Sequence, residues 1–243
     1  MQATYSPREA DLQIAARIAN KIDTHKEDRF ILTGSYSIDL LTGSEVKHND
    51  IDANIFTNNI QRSIARVALL LKADDNLMPI LDTNNRLEFS YTDRARASKL
   101  ELQFIEYANA IENHNGTDFI LPKNGTDHEI IVPTIIQKTR INSITEETYE
   151  FSIKSLPYAI ATWALRVSGV ALSQKRQVRQ TDIDHFVYLI NTPHDDEAIK
   201  DAIRHHPQMP RGADVDNIIN IASNYVEKVT SHDCAYSCWR AFL

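Results

Sequence analysis

A chain of 243 residues is long enough for one large domain or two small ones with a sizeable core. Its 42% hydrophobic and 24% charged residues are the proportions of an ordinary globular protein, and no apolar run approaches the roughly 18 residues of a membrane-spanning helix. A net charge of −7 argues against a broad nucleic-acid surface but leaves room for a local basic groove.

The first residues, MQATYSPREADLQ, are polar and carry no secretory signal, so a cytoplasmic location is expected. Ser6-Pro7-Arg8-Glu9 reads as a helix start: serine cap, proline at the first helical position, glutamate at the third. Ala15, Ile18, Ala19 and Ile22 then recur at helical spacing, which predicts a structural helix beside a sheet.

Phe30 to Phe56 organises the chain. Phe30, Ile31 and Leu32 form an apolar strand that stops at Thr33-Gly34-Ser35. Glycine there permits a sharp turn and a close approach of backbone to ligand. Tyr36 to Leu41 has helical spacing, with Gly43 as its stop. After a polar loop, Asp50-Ile51-Asp52-Ala53-Asn54-Ile55-Phe56 reads as a second strand. Alternation puts Asp50 and Asp52 on one face, with Cα atoms roughly 6.6 Å apart. Both carboxylates can then lean onto one cation, and all-oxygen ligands suit Mg²⁺. The Gly-Ser turn could offer N–H groups and a hydroxyl to phosphates. Taken alone, Asp-x-Asp equally fits two ordinary acids on a solvent-facing strand.

The combined stretch T-G-S-Y-S-I-D-L-L-T-G-S-E-V-K-H-N-D-I-D resembles the signature of the DNA polymerase β-like nucleotidyltransferase superfamily. There a Gly-Gly or Gly-Ser turn, a short helix and a loop precede an Asp-x-Asp strand. The closer likeness is to the branch of aminoglycoside and lincosamide nucleotidyltransferases and AbiEii-type toxins. In that branch a basic residue, a histidine and a spacer precede the acids, as Lys47-His48-Asn49 do here; lysine stands where arginine is common. The resemblance covers residues 28 to 107 well and 150 to 190 loosely. It implies an α+β core with a short mixed sheet, followed by a helical C-terminal subdomain. It also implies that Asp50 and Asp52 hold Mg²⁺, while Gly34 and Ser35 cradle the β and γ phosphates of an NTP.

Ile60 to Leu71 is strongly helical, with Ile64, Val67, Ala68 and Leu71 on one face. Asp74-Asp75-Asn76 reads as a solvated loop. Arg86 to Tyr91 and Ser98 to Tyr107 read as a hairpin, with Glu101 and Gln103 sharing a face. The resemblance requires a third carboxylate on a strand beside Asp-x-Asp. Leu100-Glu101-Leu102-Gln103 looks like that strand, with glutamate where aspartate is usual. Glu101 would complete the metal ligands and take the proton from the attacking hydroxyl. Glu88 and Glu106 are the alternatives. Residues 113 to 133, with Asn115-Gly116 and Asn124-Gly125, suggest another hairpin, and Phe151 to Ile153 a last strand.

From Ser155 the period becomes helical: Ser155 caps, Pro157 opens, and Ile160, Trp163, Ala164 and Val167 mark the buried face, with Gly169 ending it. The expected division is a catalytic domain over 1–153 and a helical subdomain over 154–243. Thr181 with Asp184 reads as the cap of a helix through Ile190. Lys175, Arg176 and Arg179 form a local positive patch beside that helix start. By the resemblance, Arg179-Gln180-Thr181-Asp182 helps hold the nucleotide through Arg179 and Asp182, with Lys154 and Arg166 as weaker triphosphate contacts. Without it, the segment is equally a solvated basic turn with a plain cap.

Two more helices are predicted over 195–206 and 213–230. The stripe of Val215, Ile218, Ile219, Ala222, Tyr225 and Val226 reads as core. Adjacent residues on a helix do not face one way, so His205-His206 reads as a surface pair and not a metal site. Cys234 and Cys238 read as reduced thiols.

The function expected from the resemblance is Mg²⁺-dependent transfer of an NMP, AMP first, from an NTP to an acceptor hydroxyl. One or two ions would be held by Asp50, Asp52 and Glu101. An aminoglycoside-like small molecule is the leading acceptor, since an acidic cleft suits a polycation. A tRNA 3′ end or a protein hydroxyl, as in toxin relatives, is the alternative. A catalytically degenerate nucleotide- or partner-binding module is the non-enzyme reading.

Overall fold

A computed structural model describes residues 7–23, 27–43, 50–73, 77–83, 85–93, 96–106, 112–114, 117–119, 136–142, 148–168, 179–206, 209 and 212–229. In chain order the elements are α1 (Pro7–Asp23), β1 (Asp28–Thr33), α2 (Gly34–Thr42), β2 (Asp50–Thr57), α3 (Ile60–Lys72), β3 (Met78–Thr83), β4 (Arg86–Asp93), β5 (Arg96–Glu106), β6 (Glu112–His114) and β7 (Thr117–Phe119). They continue with β8 (Ile136–Asn142), β9 (Thr148–Lys154), α4 (Leu156–Val167), α5 (Gln180–Ile190), α6 (Asp196–Arg204) and α7 (Val215–Val229). They fall into two compact units. One holds the sheet, α1, α3 and the first turn of α2; the other holds α4 to α7 and the rest of α2 from Ile38.

The first unit is built on one mixed sheet in the order β3-β4-β5-β2-β1-β9-β8-β7-β6. β2 runs antiparallel to β1 and parallel to β5, and β1 runs parallel to β9. The parallel step from β2 to β5 follows from α3 and the β3–β4 hairpin, which carry the chain back to the starting end of the sheet. This is the expected α+β arrangement, a mixed sheet with helices packed on it, and among the described residues the sheet holds nine strands.

Alternation gives the sheet two chemically different faces. Leu87, Phe89 and Tyr91 of β4, Leu100, Leu102 and Phe104 of β5, and Ile51, Ala53 and Ile55 of β2 are all buried. On the helical side, α1 packs on β1 and β9, and α3 packs on β4 and β5. α1 contributes Ala15, Ile18, Ala19 and Ile22; α3 contributes Ile64, Val67 and Leu71. The polar residues of the same strands are left on the opposite face. Two polar ties fix the frame. Arg66 of α3 pairs with the fully buried Asp28 at the start of β1, with Nε donating at 3.1 Å. Asp11 of α1, 2% exposed, accepts from Tyr91 Oη at 2.7 Å and from Tyr36 Oη.

β3 and β8 were not expected. Every residue of β3 is exposed, so the strand has no buried face and no period to read. β8, IQKTRIN, is polar at most positions and owes its place to pairing with β9. β6 and β7 form an antiparallel pair, and the first predicted turn, Asn115-Gly116, lies outside the described residues. Asn124-Gly125, Asp74-Asp75-Asn76, Lys47-His48-Asn49, Lys175, Arg176, Gly169, Cys234 and Cys238 lie outside the described residues.

In the second unit α4 packs against α5, α6 and α7, and this burial from several sides explains its broad apolar surface. Two local expectations are corrected. α5 begins earlier than Thr181: Arg179 is the N-cap, and Asp182 at the third position accepts its backbone N–H at 3.0 Å. The aspartate closes the exposed helix end, leaving Thr181 within the first turn. His206 is 4% exposed and not a surface residue. The chain leaves the helix at His205, which frees His206 to turn inward against the Tyr158 ring at 4.9 Å and the Thr162 hydroxyl at 3.1 Å.

Candidate active site

Strand register assembles the acids. Thr33 of β1 is the partner of Asp52 on β2, and Asp52 is the partner of Glu101 on β5. Partners across a sheet present side chains on the same face, and residues two apart on one strand do too. Asp50, Asp52 and Glu101 therefore meet on the polar face: one carboxylate oxygen from each lies within 4.8 Å of the other two. All three are partly exposed, open to an ion from solution. Their hard oxygen donors suit Mg²⁺ or Mn²⁺, and among the described residues no thiolate or imidazole joins them to favour zinc.

The bend at Gly34 closes over this cluster. β1 ends at Thr33 and α2 begins at once, with Gly34 at φ +65°. That left-handed backbone favours glycine, and the missing side chain matters as well. A Cβ at this position would stand 2.4 Å from Asp52 Oδ2. The carboxylate of Asp52 thus lies directly against the bend. Ser37 Oγ donates to the Gly34 carbonyl at 2.8 Å and so holds the first turn of α2.

The rival third acids are separated by the same register. Glu106 is an odd number of residues from Glu101, pairs with Thr57 at the far end of β2, and belongs to the other face. Glu88 is on the correct face, but one strand further out, directly opposite Glu101.

Sequence reasoning did not foresee the basic residues around Glu101. Arg86 bridges Glu88 and Glu101 and approaches Glu101 Oε2 at 2.5 Å. Lys99 Nζ lies 3.3 Å from Glu101 and 3.5 Å from Glu88. Burial works to lower the Lys99 pKa, but the hydrogen bonds and charges of Glu101 and Glu88 outweigh it and hold the ammonium above its ordinary value. The alternation of β4 already put Arg86 and Glu88 on one face; their pairing with β5 was not legible in either strand alone.

The residues expected to contact a nucleotide divide between the units. Gly34 and Ser35 belong to the first, as does Lys154, half-buried at the end of β9. Arg179 and Asp182 belong to the second and bind each other: Arg179 Nε and an Nη donate to the Asp182 carboxylate at 3.2 and 3.1 Å. Arg166 stands 3.9 Å from Asp182 and 4.6 Å from the centre of the Trp163 ring. Burial would raise the Asp182 pKa, but Arg179, aided by Arg166, holds it below the usual carboxylate value.

No protein-family model matches this chain, and no curated protein matches it. Among solved structures it is similar to the CdnC:HORMA-deltaN complex of E. coli MS115-1, at 13% identity and a TM-score of 0.35. That alignment covers 92% of this chain and 65% of the CdnC-complex chain, so this chain spans less than two thirds of that one. It is similar to the CdnE cyclic dinucleotide synthase of Elizabethkingia meningoseptica, at 10% identity, a TM-score of 0.33, and coverage of 93% and 79%. It is also similar to the DncV cyclic AMP-GMP synthase of Vibrio cholerae, at 10% identity, a TM-score of 0.31, and coverage of 97% and 85%. At these values the chemistry of this chain has to be read from its own residues. Among the described residues no helix is long and apolar enough to cross a membrane.

Proposed function

We propose that this protein is a metal-dependent nucleotidyltransferase that moves an NMP, AMP in the first instance, from an NTP to an acceptor hydroxyl. The observation that carries this reading is the register Thr33–Asp52–Glu101, with Gly34 bent over Asp52. It gives three hard-oxygen ligands and a backbone turn at one point, which metal-assisted phosphoryl chemistry requires.

Asp50, Asp52 and Glu101 would hold one or two Mg²⁺. Bound there, the ion would supply charge stabilisation to the reacting phosphoryl group. Gly34 and Ser35 would receive the β and γ phosphates through backbone N–H and hydroxyl groups. Glu101 would accept the proton of the attacking hydroxyl as it adds to the α-phosphorus, and pyrophosphate would leave. Lys154 would add positive charge toward the nucleotide.

An aminoglycoside-like small molecule remains the leading acceptor, on charge and on the sequence resemblance. A tRNA or protein hydroxyl is the second reading. The deciding experiment measures pyrophosphate release with Mg²⁺ and each NTP. Acceptors to screen are aminoglycosides, lincosamides, total tRNA and a second nucleotide. Release that depends on one acceptor and is lost in Asp50→Ala and Asp52→Ala supports the reading. Undiminished turnover in both variants overturns it. Nucleotide binding without release across every acceptor would favour a degenerate binding module.

A further inference from the structure

We infer that Arg86 latches the acidic triad in the ion-free protein, and that Glu88 is a positioning residue that retains Arg86 and Lys99 when a divalent ion claims Glu101. This rests on the metal-binding reading above and extends it to three residues outside the triad.

Glu88 and Glu101 are direct cross-strand partners, an arrangement of like charges that is unfavourable without cations. Glu88 is 9% exposed, so leaving it unpaired would be more costly than leaving Glu101 unpaired. Arg86 meets both acids through a single terminal nitrogen, while its Nε is buried without a hydrogen-bond partner. The strong arginine–carboxylate geometry is bidentate, with two parallel N–H···O bonds to one partner. One nitrogen shared between two acids is a weaker arrangement, and it can release one acid without losing its only partner. Lys99 is shared in the same way, at 3.3 and 3.5 Å.

Without the ion, Arg86 and Lys99 cover Glu101. With it, both stay on Glu88, and Glu101 is freed for the metal. The latch lowers the affinity of the empty site and keeps its acids from repelling one another.

The test is Mn²⁺ titration of the full chain by calorimetry, without nucleotide, with thermal melts to confirm folding. Wild type should bind Mn²⁺ and Asp52→Asn should not. Arg86→Gln should bind about tenfold tighter or more, the scale on which residues behind metal ligands act. Lys99→Gln should shift binding in the same direction by less, and it serves if the arginine variant is unstable. In a Glu101→Gln background the gain from Arg86→Gln should vanish, because no ligand remains to be released. An unchanged Kd in both Arg86→Gln and Lys99→Gln overturns the latch while leaving the metal site intact. So does a gain of equal size in the Glu101→Gln background, which would be a general field effect. If wild type and Asp52→Asn are alike in failing to bind Mn²⁺, the metal reading falls and the latch falls with it.

Discussion

Gly34 and Asp52 compete for one small volume: a Cβ on residue 34 would lie 2.4 Å from Asp52 Oδ2 and 3.0 Å from Asp52 Cβ. Atoms at such separations overlap, so any other residue at 34 must move the bend or the carboxylate. The φ of +65° adds a conformational cost of about 1 kcal/mol or more for alanine. Gly34→Ala is expected to lower the melting temperature by several degrees and to abolish Mn²⁺ binding. Calorimetry on the folded variant checks both, and unaltered binding would show that Asp52 does not need this contact.

Asp50→Asn and Asp52→Asn should act oppositely on activity and stability. Each removes one carboxylate from a cluster whose oxygens lie within 4.8 Å of one another. Turnover should fall by about two orders of magnitude or more, because a ligand is lost. In metal-free buffer the melting temperature should hold or rise, because the remaining acids repel less. Pyrophosphate release and a thermal melt in chelator, run side by side, read the two effects separately.

Arg66→Ala should be among the most damaging changes outside the candidate site. Asp28 is fully buried and Arg66 is its ionic partner. Burial works to lower the Arg66 pKa, yet the Asp28 and Glu27 contacts raise it overall. Removing the arginine strands a buried carboxylate, at a cost of about 3 kcal/mol. Replacing both with apolar residues, as in Asp28→Leu/Arg66→Met, should recover much of the loss. Urea unfolding of the single and double variants decides it.

Tyr36→Phe should cost less, about 1 kcal/mol, since it removes one of the two tyrosine donors to buried Asp11. A side effect on the candidate site is expected, because Tyr36 lies two residues beyond Gly34 in the first turn of α2. Weaker Mn²⁺ binding with only a modest drop in stability would mark Tyr36 as a positioning residue for the bend.

His185 makes the protein acid-sensitive in a defined window. Burial pushes its pKa down to about 4; Asp182 and Asp184 pull it up, while Arg179 and Arg166 lower it further. The ring packs edge-on against Trp163 at 4.7 Å. In the unfolded chain it titrates near 6.5, so between about 6.5 and 4 the unfolded state binds the extra proton. Stability from this group is therefore complete above about pH 6.5 and declines as pH falls toward 4, by on the order of 3 kcal/mol at most. Unfolding free energies at pH 7.5 and 5 should converge in His185→Gln relative to wild type. An identical slope in both proteins would assign the acid sensitivity to other groups.

Much of the candidate site lay within short stretches of the chain. Glycine at 34, the single intervening residue between Asp50 and Asp52, and the alternation around Glu101 are local features. Local sterics and a period of two place such side chains on a face without reference to the rest of the fold. The helical periods of α1, α3, α4 and α7 were legible for the same reason, since each buries a stripe.

Register and pairing were not legible, because they join residues far apart in sequence. Glu101 could be separated from Glu88 and Glu106 only once β5 was paired with β2 and β4. Arg86 and Lys99 became neighbours of Glu101 by the same pairing. β3 escaped notice because it has no buried face, and His206 turned inward because tertiary packing outweighed its position at a helix end. The sequence by itself determined which residues bend and which acids share a strand face, since those are matters of nearest-neighbour geometry. Only the tertiary structure decided which acid joins the pair and which cations stand guard over it, since those depend on long-range strand pairing that no local period encodes.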